Sequence, residues 1–222
     1  MQIWVTSKTA MSDFLISRRQ AIKGDDLLEL LRQPYRNRRL DGEGFDFPWG
    51  SLAVFQERRG QNIRRLGDTL VTWVGDLVTE VTIPFLESLV HQCRGTRIGS
   101  PKAGTGGDSS LALDQLNGSF AFVIADTKGC TVITDLMNYV QVYAAKDARG
   151  EVVALGTHPD LVATVGEVTA LDFCSLGEFL NSGTPLFPNT AYLQVQELHL
   201  RDQDREGVRE AEGADRVRAL SR

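Results

Sequence analysis

The chain has 222 residues and a mass of 24.5 kDa, enough to bury a substantial core as one large domain or two small ones. Its hydrophobic fraction of 42% and charged fraction of 24% are those of an ordinary globular protein and exclude a disordered, fibrous or low-complexity chain. A net charge of −5 and a pI near 5.3 argue against nucleic acid as a partner, and no apolar run reaches the roughly 20 residues that would make the membrane one.

The start, Met1-Gln2-Ile3-Trp4-Val5-Thr6, has no basic region ahead of a long apolar stretch, so no secretory signal is expected and a cytoplasmic location is. Residues 3–6 alternate apolar and polar and read as a strand. Asp25 and Asp26, followed by Leu27, Leu28, Leu30 and Leu31, predict a helix over 25–33 that Pro34 ends. Residues 33–46, with Arg36, Arg38, Arg39, Gly42 and Gly44, read as a loop whose positive charge is a solvated face. Residues 51–57 and 69–74 read as strands, separated by Gly60, Asn62 and Gly67 as in a hairpin or meander. Pro84 opens a helix through Cys93 with Phe85, Leu86, Leu89 and Val90 on one side. Residues 95–107 hold five glycines, Gly95, Gly99, Gly104, Gly106 and Gly107, with Pro101 and read as a flexible loop, after which Asp108 or Ser109 caps a short helix over 111–116.

Two apolar runs, 120–126 and 130–135, join across Thr127-Lys128-Gly129 as a hairpin, and 139–145 and 151–155 repeat the pattern across Asp147-Ala148-Arg149-Gly150. Helices follow from Pro159 and over 174–180, the second closed by Asn181 and Gly183, and a last strand covers 190–200. Hairpins grouped apart from helices make the fold class α+β, with antiparallel sheets packed against each other or covered on both faces. From Arg201 onward 12 of 22 residues are charged, six of each sign, so 201–222 reads as a frayed helix or disordered tail beyond a domain of residues 1–200. Cys93, Cys130 and Cys174, like His91, His158 and His199, are too scattered for a disulfide framework or a zinc site, and no metal or other cofactor is expected.

Leu116-Asn117-Gly118-Ser119-Phe120-Ala121-Phe122-Val123-Ile124-Ala125-Asp126 resembles the leucine-x-glycine-x-phenylalanine-alanine-phenylalanine strand of class II glutamine amidotransferase domains, above all those of asparagine synthetases. Thr131-Val132-Ile133-Thr134-Asp135 resembles the next strand, which also ends in aspartate there. Residues 135–143 resemble the D-x-x-G-x-x-P-L-Y turn that follows, with Asp135 and Tyr143 kept, Asn138 for the glycine and Gln141 for the proline. Residues 151–163 are similar to the following strand and helix, with Thr157-His158 where the family has a serine–glutamate pair. Residues 171–183 and 188–198 resemble the late helix and final strand, and Val71-Thr72-Trp73-Val74-Gly75-Asp76-Leu77 resembles the earlier stretch A-F-N-G-E-I-Y. The resemblance implies a four-layer α-β-β-α sandwich of two antiparallel sheets, the N-terminal-nucleophile hydrolase architecture.

The same resemblance implies chemistry that this chain does not supply. In that family an N-terminal cysteine attacks the glutamine amide and its own α-amine, with a pKa of about 8, is the base. Here the chain opens Met1-Gln2, and the nearest hydroxyls, Thr6 and Ser7, would need internal cleavage to become N-terminal. The asparagine of the family's oxyanion hole aligns with Val74 while its glycine is kept as Gly75; losing one such donor costs about 100- to 1000-fold in rate. The arginine that holds the glutamine carboxylate has no counterpart, and Gly107-Asp108 is the nearest match for the serine–aspartate pair. The expectation is a catalytically inactive glutaminase-like domain, a structural or regulatory partner of a separate ATP-dependent synthetase subunit. β-Lactam synthetases, whose amidotransferase-like domain also lacks the nucleophile, are the parallel. Two alternatives stand beside it: a module that binds an amino acid between Gly75, Asp76 and Asp108, or an amidohydrolase with Thr6, Ser7, Asp76 or Asp108 as a non-standard nucleophile. Thr105-Gly106-Gly107-Asp108-Ser109-Ser110 resembles the S-G-G-x-D-S pyrophosphate loop of such synthetases but lacks one residue and a strand before it, and reads as a plain loop.

Overall fold

A computed structural model describes residues 12–35, 41–56, 62–95, 112–113, 115–135, 137–183, 188–198 and 215–221, with side chains characterised up to Leu198. In chain order the elements are β1 (Ser12–Ser17), α1 (Gly24–Arg32), a 3-10 turn (Gln33–Tyr35), β2 (Asp41–Phe47), β3 (Gly50–Gln56), β4 (Ile63–Leu66) and β5 (Thr69–Leu77). There follow α2 (Ile83–Gly95), β6 (Gly118–Ala125), β7 (Gly129–Thr134), β8 (Tyr143–Lys146), β9 (Val152–Gly156), α3 (Pro159–Gly166), α4 (Phe173–Ser182), β10 (Val195–Glu197) and β11 (Asp215–Ser221). Among the described residues the strands form a six-stranded sheet, β10-β8-β9-β1-β3-β2, and a five-stranded sheet, β11-β7-β6-β5-β4. Every pairing is antiparallel, so the fold is α+β with two antiparallel sheets, as the sequence predicts.

Alternation along the strands sorts the apolar residues into three clusters. Phe14 and Ile16 of β1 and Leu52 and Val54 of β3 share one cluster with Leu70, Val74, Ala121, Val123 and Val132 of the other sheet. Their strand neighbours Leu15, Ala53 and Phe55 turn the other way and pack with Leu27, Leu28 and Leu31 of α1 and Leu161, Val162 and Val165 of α3. On the five-stranded sheet, Val71, Trp73, Phe120, Phe122 and Ile133 pack with Leu86, Leu89 and Val90 of α2. Burial at about 25 cal/mol per Å² of apolar surface makes these clusters the dominant favourable contribution to folding. Helix α4 is different: Phe173, Phe179 and Leu180 stay exposed. No described helix is long and apolar enough to cross a membrane.

The helices predicted over 25–33, from Pro84, from Pro159 and over 174–180 all form, and Gly183 closes α4 at φ 82°. Both late hairpins form as well. Four expectations are corrected. Residues 41–47, read as loop, are β2, paired with β3 throughout. Their glycines serve close approach: a Cβ on Gly24 or Gly44 would run into the other's backbone, so α1 can start directly against the strand. The runs 51–57 and 69–74 are not a meander; β3 and β5 lie in different sheets, and the hairpin partner of β5 is β4. The last strand shrinks to β10, joined by a bridge between Asn189 and Gln196. The tail ends as a strand, β11, on the free edge of β7. Arg216-Val217-Arg218 alternates with the period of a strand, a signal masked by the high charge of the segment. Ala112, Leu113 and Gln115 are in a turn, and the strand expected at 3–6 and the loop from residue 96 lie outside the described residues.

Candidate functional site

The site grows from the N-terminal end of β1. The half-buried Ser12 sits there opposite Gln56 of β3, and across the gap between the sheets the Gly75 N–H donates to Ser12 Oγ at 3.0 Å. Gly75 stands on β5 at φ 90°, a conformation that only glycine adopts easily, and a Cβ there would collide with the Ser119 carbonyl and lie 2.7 Å from Val140 Cγ2. Val74 beside it is fully buried in the cluster between the sheets. Two polar side-chain atoms in the same apolar region are buried and unbonded among the described residues, Gln56 Nε2 and Thr72 Oγ1, although Gln56 Oε1 accepts the Asn62 N–H at 3.4 Å. Buried polar groups are nearly always paired, which marks this end of the inter-sheet space as unusual.

Val140 belongs to a turn that Asp135 builds. The carboxylate, 5% exposed, accepts the N–H groups of Phe120, Met137, Tyr139 and Val140 at 3.0–3.4 Å. Asn138 takes φ 50°, which Asn tolerates better than other side chains. Its amide donates to Glu197 and to the Leu198 carbonyl.

A second polar group lies on the other face of β1. Asp13, 9% exposed, accepts the Tyr35 hydroxyl at 2.5 Å and the Thr157 hydroxyl at 2.8 Å, with His158 Nε2 3.4 Å away. Burial acts to raise the Asp13 pKa, but the hydrogen bonds from His158 and Tyr35 and the charge attraction of His158 outweigh it, and the carboxyl titrates below its ordinary value. His158 is the N-cap residue just before α3, and Tyr35 ends the turn after α1, its ring packed on Phe55. The described residues also line a separate cavity of about 310 Å³, between Leu66, Gly67, Thr69, Glu87, Val90 and His91. No cluster of three or more metal-ligating side chains occurs among them.

No family model and no curated protein matches this chain. Of the predicted site residues, Gly75 lies at the inter-sheet contact and Asp76 follows it on β5, exposed and opposite Ser119. Asp108, Thr6 and Ser7 lie outside the described residues. Ser12, Asp13 and Tyr35 were not predicted. The short apolar run Phe14-Leu15-Ile16, bounded by Ser12 and Ser17, is the signal that marks β1 and its polar first residues.

Proposed function

We propose that this chain is a glutaminase-like domain of the class II amidotransferase type, folded as a four-layer α-β-β-α sandwich of the N-terminal-nucleophile hydrolase kind. In this reading it does not hydrolyse glutamine and serves as a structural or regulatory partner of a separate ATP-dependent, amide-forming synthetase. The contact between Ser12 and Gly75 carries the reading. Gly75 matches the glycine of the family's oxyanion hole, and its amide meets a hydroxyl on the first residue of a strand, where the family presents its nucleophile. Two all-antiparallel sheets with helices packed on each are consistent with the sandwich.

What surrounds the contact is short of what the reaction needs. The Ser12 nitrogen is joined to Met11 in a peptide bond, so no free amine stands beside the hydroxyl to take its proton. Val74, buried and apolar, offers no second donor where the family has asparagine. The Gly75 N–H is already satisfied by Ser12 itself.

The same contact favours a second reading, an amidohydrolase with Ser12 as its non-standard nucleophile. Hydrolysis of the Met11–Ser12 bond would leave an α-amine within reach of the hydroxyl it must activate. Incubating the purified chain with glutamine, and weighing its N-terminus in the same preparation, separates the two. The first reading expects no glutamate and no species starting at Ser12. Turnover by a species that starts at Ser12, abolished by Ser12→Ala, replaces it with the second.

A further inference from the structure

Ser12 and Asp13 face opposite sides of β1, so the start of this strand is held from two directions. Ser12 takes the Gly75 amide of the other sheet, and Asp13 takes side chains from the helix-covered face. Proton counting fixes the role of the histidine. Tyr35 has one hydroxyl proton and gives it to Asp13 Oδ2 at 2.5 Å. The 3.1 Å contact between the Tyr35 oxygen and His158 Nε2 therefore has its proton on Nε2. Nδ1 has no partner among the described residues, so it is the nitrogen that exchanges a proton with water; the side chain is 29% exposed. Protonation there places a full positive charge 3.4 Å from the Asp13 carboxylate without moving any atom of the group.

We propose that Asp13, Tyr35, Thr157 and His158 form a pH-responsive clamp on the start of β1, tighter when His158 is charged, and that the clamp sets how firmly Ser12 holds the Gly75 amide. The clamp is a property of the strand and holds under either reading of the chemistry. The N-terminal end of α3 opposes a cation at its N-cap, where His158 stands. The Asp13 carboxylate, 3.4 Å away, attracts one.

Among the described residues the titratable and charged groups around His158 are few. From β1 there is Asp13 and from the 3-10 turn Tyr35. On its own helix, Asp160 is engaged by the Tyr192 hydroxyl. The other strands packed on α3 carry Tyr143, Lys146 and Glu197, none of which bonds to His158, and β9 carries no charge. Arg32, at the end of α1, pairs with Glu29.

Hydrogen exchange of the Gly75 amide between about pH 5.5 and 8.5, the span in which imidazoles titrate, reads the clamp directly. The exchange is corrected for intrinsic rate and referred to the amides of β7, while NMR follows the His158 ring in the same samples. Protection is expected to fall about tenfold as His158 loses its proton, the size of an ordinary coupling between sites. In His158→Gln, which keeps a donor but not the charge, protection should be independent of pH. A merely structural histidine would lower protection in that variant at every pH and leave the pH dependence in place. Protection in the unaltered chain that does not follow the His158 titration overturns the proposal without recourse to any variant. So does an unchanged pH dependence in His158→Gln.

Discussion

Phe120 and Asp135 hold each other twice: the Phe120 N–H donates to Asp135 Oδ2 at 3.1 Å, and the Asp135 N–H donates to the Phe120 carbonyl at 3.0 Å. The pair joins the start of β6 to the end of β7 and leaves the other carboxylate oxygen free to accept Met137 and Tyr139. Asp135→Asn keeps the shape but turns an NH₂ toward backbone donors. A buried acceptor lost in this way costs about 2–3 kcal/mol, which urea unfolding should register as a lower midpoint with an unchanged slope. A loss below about 0.5 kcal/mol would mean that the turn holds without the carboxylate.

Gly75→Ala should cost at least about 2 kcal/mol. The added methyl meets the Ser119 carbonyl, which is backbone and cannot swing aside, and φ 90° is strained for any residue with a Cβ. Gly150→Ala is the comparison: its φ is 83°, but no atom lies within 4 Å of the added Cβ, so strain acts there without the collision. Thermal melts of the two variants should therefore differ clearly, and equal losses would place the whole effect at Gly75 in backbone conformation.

Much of the fold is legible in the sequence because its signals are local. The apolar runs either side of Thr127-Lys128-Gly129 define β6 and β7, and the stripe Leu27, Leu28, Leu31 defines α1. What stays hidden depends on partners far away in the chain. Nothing near residues 51–56 or 69–77 states that one strand joins β1 and the other β6; that follows from burying both faces of each. Gly42 and Gly44 read as loop punctuation because glycine marks both turns and close approach, and only the packing of α1 separates the two. The site suffered in the same way. Gly75 is visible through its motif, but Ser12 matters only because 63 positions separate it from the amide it meets.

Thr72→Val should leave the fold intact and raise stability by roughly 0.5–1 kcal/mol. The threonine is fully buried, its hydroxyl has no partner among the described residues, and valine has nearly the same shape. The gain comes from removing the desolvation cost of an unpaired hydroxyl while keeping its packing. Destabilisation by 1 kcal/mol or more would instead show that the hydroxyl is bonded in solution, for example through a buried water shared with Gln56.

The acid limb of the stability curve should carry the signature of Asp13. Its burial favours the neutral acid, yet the hydrogen bonds from His158 and Tyr35 and the charge of His158 favour the carboxylate more, so the folded-state pKa lies below the unfolded value of about 3.9. A depressed acid pKa contributes stability that is complete above the unfolded pKa and disappears as pH falls through the folded one. The stability difference between the unaltered chain and Asp13→Asn should therefore shrink below about pH 4 as the carboxyl gains its proton. At neutral pH the difference should be about 2 kcal/mol, since the asparagine would leave donors from Tyr35, Thr157 or His158 facing an NH₂ group. Urea melts at half-unit intervals from pH 3 to 7 make the measurement. A difference that stays flat to pH 3 would show that the Asp13 carboxylate gains nothing from its partners, and that the group is held by packing alone.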